Sequence, residues 1–63
     1  MKRTKLIAHL LRSGCILLRE GGKHSIYRNL LTGTQTSIPR HTFLLMSTAR
    51  AICKQLGVPW PPK

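Results

Sequence analysis

The chain of 63 residues sets eleven Lys and Arg against a single acidic residue, Glu20, for a formal net charge of +10. One carboxylate cannot build a two-metal phosphodiesterase site or a glycosidase pair. A domain this short buries only about 60% of its unfolded surface, so no deep substrate cavity is expected either.

What remains is a folded body that attracts polyanions, because basic residues run from Lys2 to Lys63 and do not collect in one tail. RNA, DNA, an anionic membrane and an acidic protein are the candidate partners. The three His and two Cys are scattered without the close ligand pairs of a zinc site, so no metal and no cofactor is expected. Cys15 and Cys53 lie far apart beside apolar neighbours and read as buried free thiols in a reducing cytoplasm. No apolar stretch reaches the roughly 18 residues that span a bilayer, and no signal peptide is visible, so no membrane span is expected.

At the start of the chain, Thr4 is placed to cap a helix that shows Leu6, Ile7, Leu10 and Leu11 on one side, and His9 on a solvated face. Gly14 ends it through a left-handed residue. "CILLRE" and "KHSIYRN" flank Gly21-Gly22 and read as a hairpin whose two turn residues take positive φ. That loop sets Glu20 opposite Lys23, Arg19 opposite His24 and Ile16 opposite Tyr27, with Tyr27 in the core. A one-residue slip would exchange every face.

"LLTGT" turns around Gly33, and "TQTSI" is a β-prone strand stopped by Pro39. The connection "PRHTFLLM" carries an apolar run, Phe43 to Met46, expected to dock under the loop onto the core, with a surface for a protein partner as its other reading. Ser47 is placed to cap a second helix with Ala49, Ile52, Cys53 and Leu56 inward, closed by Gly57 and barred from resuming by Pro59. Arg50 and Lys54 share another face, solvated or in contact with phosphate. Trp60 either folds back or lies exposed. The expected architecture is α+β, helix–three antiparallel strands–helix, with both helices on one face of the sheet.

The quoted stretches resemble one family. "GCILLREGGKHSIY" is similar to the glycine, arginine, glycine and histidine spacing of the HicA (YcfA-like) toxins, "IPRH" to their Pro-x-His element, and "TARAICKQLGVP" to their closing helix. The resemblance runs from Lys2 to Pro59, with a toxin domain over 1–58 and a Pro-rich tail over 59–63. It implies a double-stranded-RNA-binding-like fold, an endoribonuclease that cuts mRNA and blocks translation, and a HicB-type antitoxin as partner. It assigns catalysis to His24, the position matching the family's histidine at the start of the second strand. Gly22 matches as well. The apolar connection "HTFLLMST" departs from the family pattern.

The chemistry can be argued without the family. RNA carries its own nucleophile, the 2′-hydroxyl, so metal-free cleavage needs a base and cations at the phosphate. An imidazole titrates near neutral pH and suits the base role. Arg19, Lys23 and Arg28 flank His24 in sequence, and Arg40 and His41 follow the third strand; these are the candidate phosphate- and RNA-binding residues, with Gly22. His41 can supply the acid only where the end of the third strand returns to the hairpin; a structural hydrogen bond is its other reading. Alone, His24 also fits an exposed turn edge. Three functions therefore compete: a metal-independent ribonuclease toxin, a non-catalytic basic nucleic-acid-binding module, and a cationic membrane-active peptide. The polar strands and turns argue against the last.

Overall fold

The computed structural model describes residues 1–60, in the order α1 (Arg3–Arg12), β1 (Cys15–Glu20), β2 (His24–Asn29), β3 (Gln35–Pro39) and α2 (Met46–Leu56). The strands form one antiparallel meander in the order β1-β2-β3. The α+β architecture expected from the sequence is the one observed.

The second helix follows its expected pattern closely. Ala49, Ile52, Cys53 and Leu56 are all buried, and they pack with Leu6 and Leu10 of α1, Tyr27 and Ile38 of the sheet, Cys15, Leu44 and Val58. Gly57 takes φ 68 and ψ 30. Its N–H reaches Lys54 O at 3.2 Å and the Val58 N–H reaches Cys53 O at 2.8 Å, the paired bonds of a Schellman ending. In a core this thin, truncating a fully buried leucine such as Leu10 costs about 2–5 kcal/mol.

Neither helix starts on the side chain expected of it. The residues preceding α1 and α2 are Lys2 and Leu45, both extended and without a side-chain cap, so Thr4 and Ser47 lie inside their helices. The start of α1 is held by backbone instead. Arg3 N–H donates to Thr42 O at 2.9 Å, Lys2 bridges Phe43, and Leu44 N–H donates to Met1 O at 2.8 Å. That short extended pairing also corrects the expectation for the apolar connection. An extended chain alternates its side chains, so Leu44 enters the core while Phe43, Leu45 and Met46 stay exposed.

The apolar stripe of α1 is rotated toward His9, which is buried where a solvated position was expected, while Leu11 is exposed. His9 Nε2 lies 2.8 Å from Pro59 O, tying the chain after α2 back to α1. Trp60 packs against the core alongside Met1 and Ile7, which settles the two readings left open for it. Residues 61–63 of the Pro-rich tail lie outside the described residues.

The hairpin register differs from the expected one. Ile16 pairs with Arg28 and Leu17 with Tyr27; a bulge at Leu18 then shifts the pairing, so that Arg19 meets Ile26 and Glu20 meets Ser25. The positive-φ glycines are Gly14, Gly33 and Gly57, so neither Gly21 nor Gly22 adopts the primed-turn conformation that the expected register required. Ser25, Tyr27 and Asn29 alternate inward along β2, which leaves His24, Ile26 and Arg28 on the outer face. β1 lies at the sheet edge and buries only Cys15. Asn29 fastens the far turn: its Nδ2 donates to Leu56 O at 2.6 Å, and its Oδ1 accepts Leu31 N–H at 2.8 Å.

Candidate functional site

His24 is the first residue of β2 and is exposed, with Pro39 of β3 directly opposite. Gly21 N–H donates to His24 O at 2.8 Å, which closes the turn around Gly22 and Lys23. A Cβ on Gly21 would stand 3.0 Å from that same carbonyl oxygen, whereas one on Gly22 would meet nothing within 4 Å. The close approach that demands glycine is at Gly21.

The end of β3 returns to this turn. Arg40 N–H donates to Lys23 O at 3.3 Å, one step beyond the last strand pair. Lys23, His24, Pro39, Arg40 and His41 thereby line one concavity of about 310 Å³. The condition set for His41, that the third strand's end comes back to the hairpin, is met. Two imidazoles, an ammonium and a guanidinium share one surface depression, and no carboxylate lines it.

The chain's one acidic residue does not line that depression but holds Arg40, which does. Glu20 pairs with Arg40 at 3.3 Å and not with Lys23, and its Oε1 accepts the Ser25 hydroxyl at 2.8 Å. Arg40 Nη1 also donates to Gly21 O at 3.1 Å. Arg3 completes the set, with Nη2 donating to Ser25 Oγ at 2.8 Å and Nε to Pro39 O at 2.9 Å. These side chains join the end of β1, both sides of the turn, the end of β3 and the start of α1. Sequence reasoning missed Arg3 and Ser25. The available signal was that Ser25 alternates with Tyr27 on the core face, and a buried hydroxyl calls for partners.

The remaining candidates are spread out. Arg19 stands opposite Ile26, two positions along β2 from His24, and not opposite the imidazole. Arg28 is four residues from His24, about 13 Å along an extended strand, and its Nη1 donates to Gln35 Oε1 at 3.3 Å. Gly22 borders the turn with open space above it. The structure thus gathers Lys23, Arg40 and His41 around His24 and leaves Arg19 and Arg28 outside that depression.

Among the described residues, no helix is long and apolar enough to cross a membrane, and no group of three or more His, Cys, Asp or Glu is placed to hold a metal ion. The family model described as the HicA toxin of bacterial toxin–antitoxin systems matches residues 3–58, nearly the whole chain. No curated protein and no solved structure matches it.

Proposed function

Because the chain belongs to the HicA toxin family of bacterial toxin–antitoxin systems, we propose that it is a cytoplasmic endoribonuclease that cuts mRNA and is neutralised by a HicB-type antitoxin. The observation that carries this reading is the shared depression: an exposed imidazole at His24 with Lys23, Arg40 and His41 around it. The order helix, three strands, helix is also the one that a double-stranded-RNA-binding-like fold implies.

In the proposed reaction, His24 takes the proton of a 2′-hydroxyl, and the resulting oxygen attacks the adjacent phosphorus. The P–O5′ bond breaks, leaving a 2′,3′-cyclic phosphate and, once the leaving oxygen is protonated, a 5′-hydroxyl end. His41 lies in the same depression and is the candidate for that second proton. Lys23 and Arg40 face the phosphate as negative charge grows on its oxygens. The nucleophile belongs to the substrate, which suits a sequence with one carboxylate and hence no oxygen-rich metal cage. A positioned base contributes about 10²- to 10⁴-fold.

The test is cleavage of RNA by the purified chain in EDTA, compared with His24→Ala. New 5′-hydroxyl ends are expected from the parent chain and none from the variant, with RNA binding retained. Cleavage that survives the substitution would remove His24 as the base. Binding without cleavage by either protein would favour the non-catalytic module.

A further inference from the structure

His24 borders two concavities, and the proposed reaction uses only one. The second, about 410 Å³, runs around the edge of β3 toward α2; Thr36, Ser37, Ser47, Thr48 and Gln55 line it, with Ala51 on the helix wall. Apart from His24 its lining carries no titratable or charged side chain, an exception on a chain with a net charge of +10.

We propose that this neutral groove seats one nucleoside of the RNA, the one whose 2′-hydroxyl attacks, while the cationic depression across His24 takes the phosphate that follows. The proposal rests on the ribonuclease reading and adds to it a polarity and a base-contacting subsite. A phosphate gains nothing from an uncharged lining when lysine and arginine line the concavity on the other side of His24. A ribose and base are uncharged, and their edges offer donors and acceptors in alternation. Hydroxyls, which both donate and accept, match such an edge whichever pattern it presents. The volume falls within the range of about 300–1,000 Å³ typical of small-ligand sites and too small for a run of nucleotides.

Two details add direction. Thr36 Oγ1 donates to Gln55 Oε1, so the carbonyl end of that amide is engaged and its nitrogen donors remain for an acceptor on a base. Ala51, Ile52 and Pro39 give the groove an apolar wall against which a base face can lie. Sequence-reading proteins treat an unstacked RNA base in the same two ways, by its edge and by its face. A nucleoside placed there has its 3′-phosphate directed across His24, with the 2′-oxygen between them.

The experiment is an amide ¹H–¹⁵N titration of the full chain with adenosine 3′-monophosphate, uridine 3′-monophosphate and inorganic phosphate. All three are expected to shift Lys23, Arg40 and His41, and only the nucleotides to shift Thr36, Ser37, Thr48 and Gln55. Ala51→Trp, at an exposed helix position, should weaken both nucleotides by about tenfold and leave phosphate unchanged. Gln55→Leu should alter the ratio of the two nucleotide affinities. Nucleotide shifts confined to the residues that phosphate moves would overturn the proposal, as would equal weakening of phosphate and nucleotides by Ala51→Trp. RNA cleavage with a silent groove removes the subsite and keeps the nuclease. Groove shifts in a chain that never cuts RNA do the reverse.

Discussion

Glu20 Oε2 lies 3.3 Å from Arg40 Nη1 while Glu20 Oε1 accepts the Ser25 hydroxyl at 2.8 Å, so one carboxylate holds a surface guanidinium and a buried serine together. The two contacts differ in weight. Both side chains of the ion pair are close to half exposed (48% and 45%), which limits it to about 0.2–1 kcal/mol. Ser25 is fully buried, and Glu20 is the acceptor for its proton. Glu20→Ala strands that donor and should lower unfolding stability by about 1–3 kcal/mol in urea titrations. Glu20→Gln keeps an amide oxygen in place and should cost less than about 1 kcal/mol. Equal losses from the two variants would show the charge, and not the serine, to be what matters.

The two glycines of the turn should answer differently to alanine. At Gly22 there is open space and no positive φ, so Gly22→Ala should leave the fold intact and raise stability by about 0.4–1 kcal/mol through the unfolded chain. At Gly21 the added carbon meets His24 O at 3.0 Å, and the carbonyl must retreat from the hydrogen bond that closes the turn. Gly21→Ala should cost about 1 kcal/mol and displace His24, lowering kcat more than it raises KM. Urea titration and single-turnover kinetics on the same two variants check this. A Gly22→Ala protein that folds well yet binds RNA poorly would mean that the strand passes directly over this backbone.

How much of this was legible before the structure depends on the range of each interaction. The inward face of α2 needs only a 3.6-residue period and a glycine, and Ala49 to Gly57 supply both. The register of β1 against β2 depends on the φ angles of Gly21 and Gly22 and on a bulge at Leu18, and composition encodes neither. The stripe of α1 was misplaced because His9 gained a partner fifty residues away in Pro59. The site shows the same division. Lys23 and His24 are chain neighbours, but the approach of Arg40 and His41 needed the β2–β3 pairing. The hydroxyls beside α2 looked like ordinary strand and capping residues.

Cys15 and Cys53 are free and buried, and burial pushes both thiols above their usual range, with the neighbouring Cys15 adding a smaller push on Cys53. The folded chain therefore keeps protons that the unfolded chain releases above about pH 8.5. The contribution to stability is complete below that pH and is lost as pH rises through the raised folded values. The urea midpoint of the parent chain should fall as pH rises above about 8.5, relative to that of a Cys15→Ala, Cys53→Ala double variant. Comparing slopes and not absolute midpoints cancels the lysines and the cavity left at Cys53. Parallel slopes would mean that the thiols titrate alike in both states.

A net charge of +10 would by itself make every cation equivalent toward RNA, and the structure says that two of them are not. Lys23 borders the depression with His24, whereas Arg28 lies about 13 Å away and is hydrogen-bonded to Gln35. Lys23→Gln and Arg28→Gln each remove one positive charge, so a diffuse field predicts the same loss for both. A built site predicts a split. Lys23→Gln should lower the single-turnover cleavage rate by about 10²-fold, the scale for removing one group that stabilises developing charge. Arg28→Gln should leave that rate near the parent value and act on binding, with a salt dependence shallower by about 0.7 in the log–log slope where it meets one phosphate of a single strand. Cleavage assays in EDTA, with binding measured over a salt series on RNA blocked at its 2′-hydroxyls, separate the two quantities. Equal rate losses would place His24 in an unstructured cationic field, and the depression around it would lose its catalytic meaning.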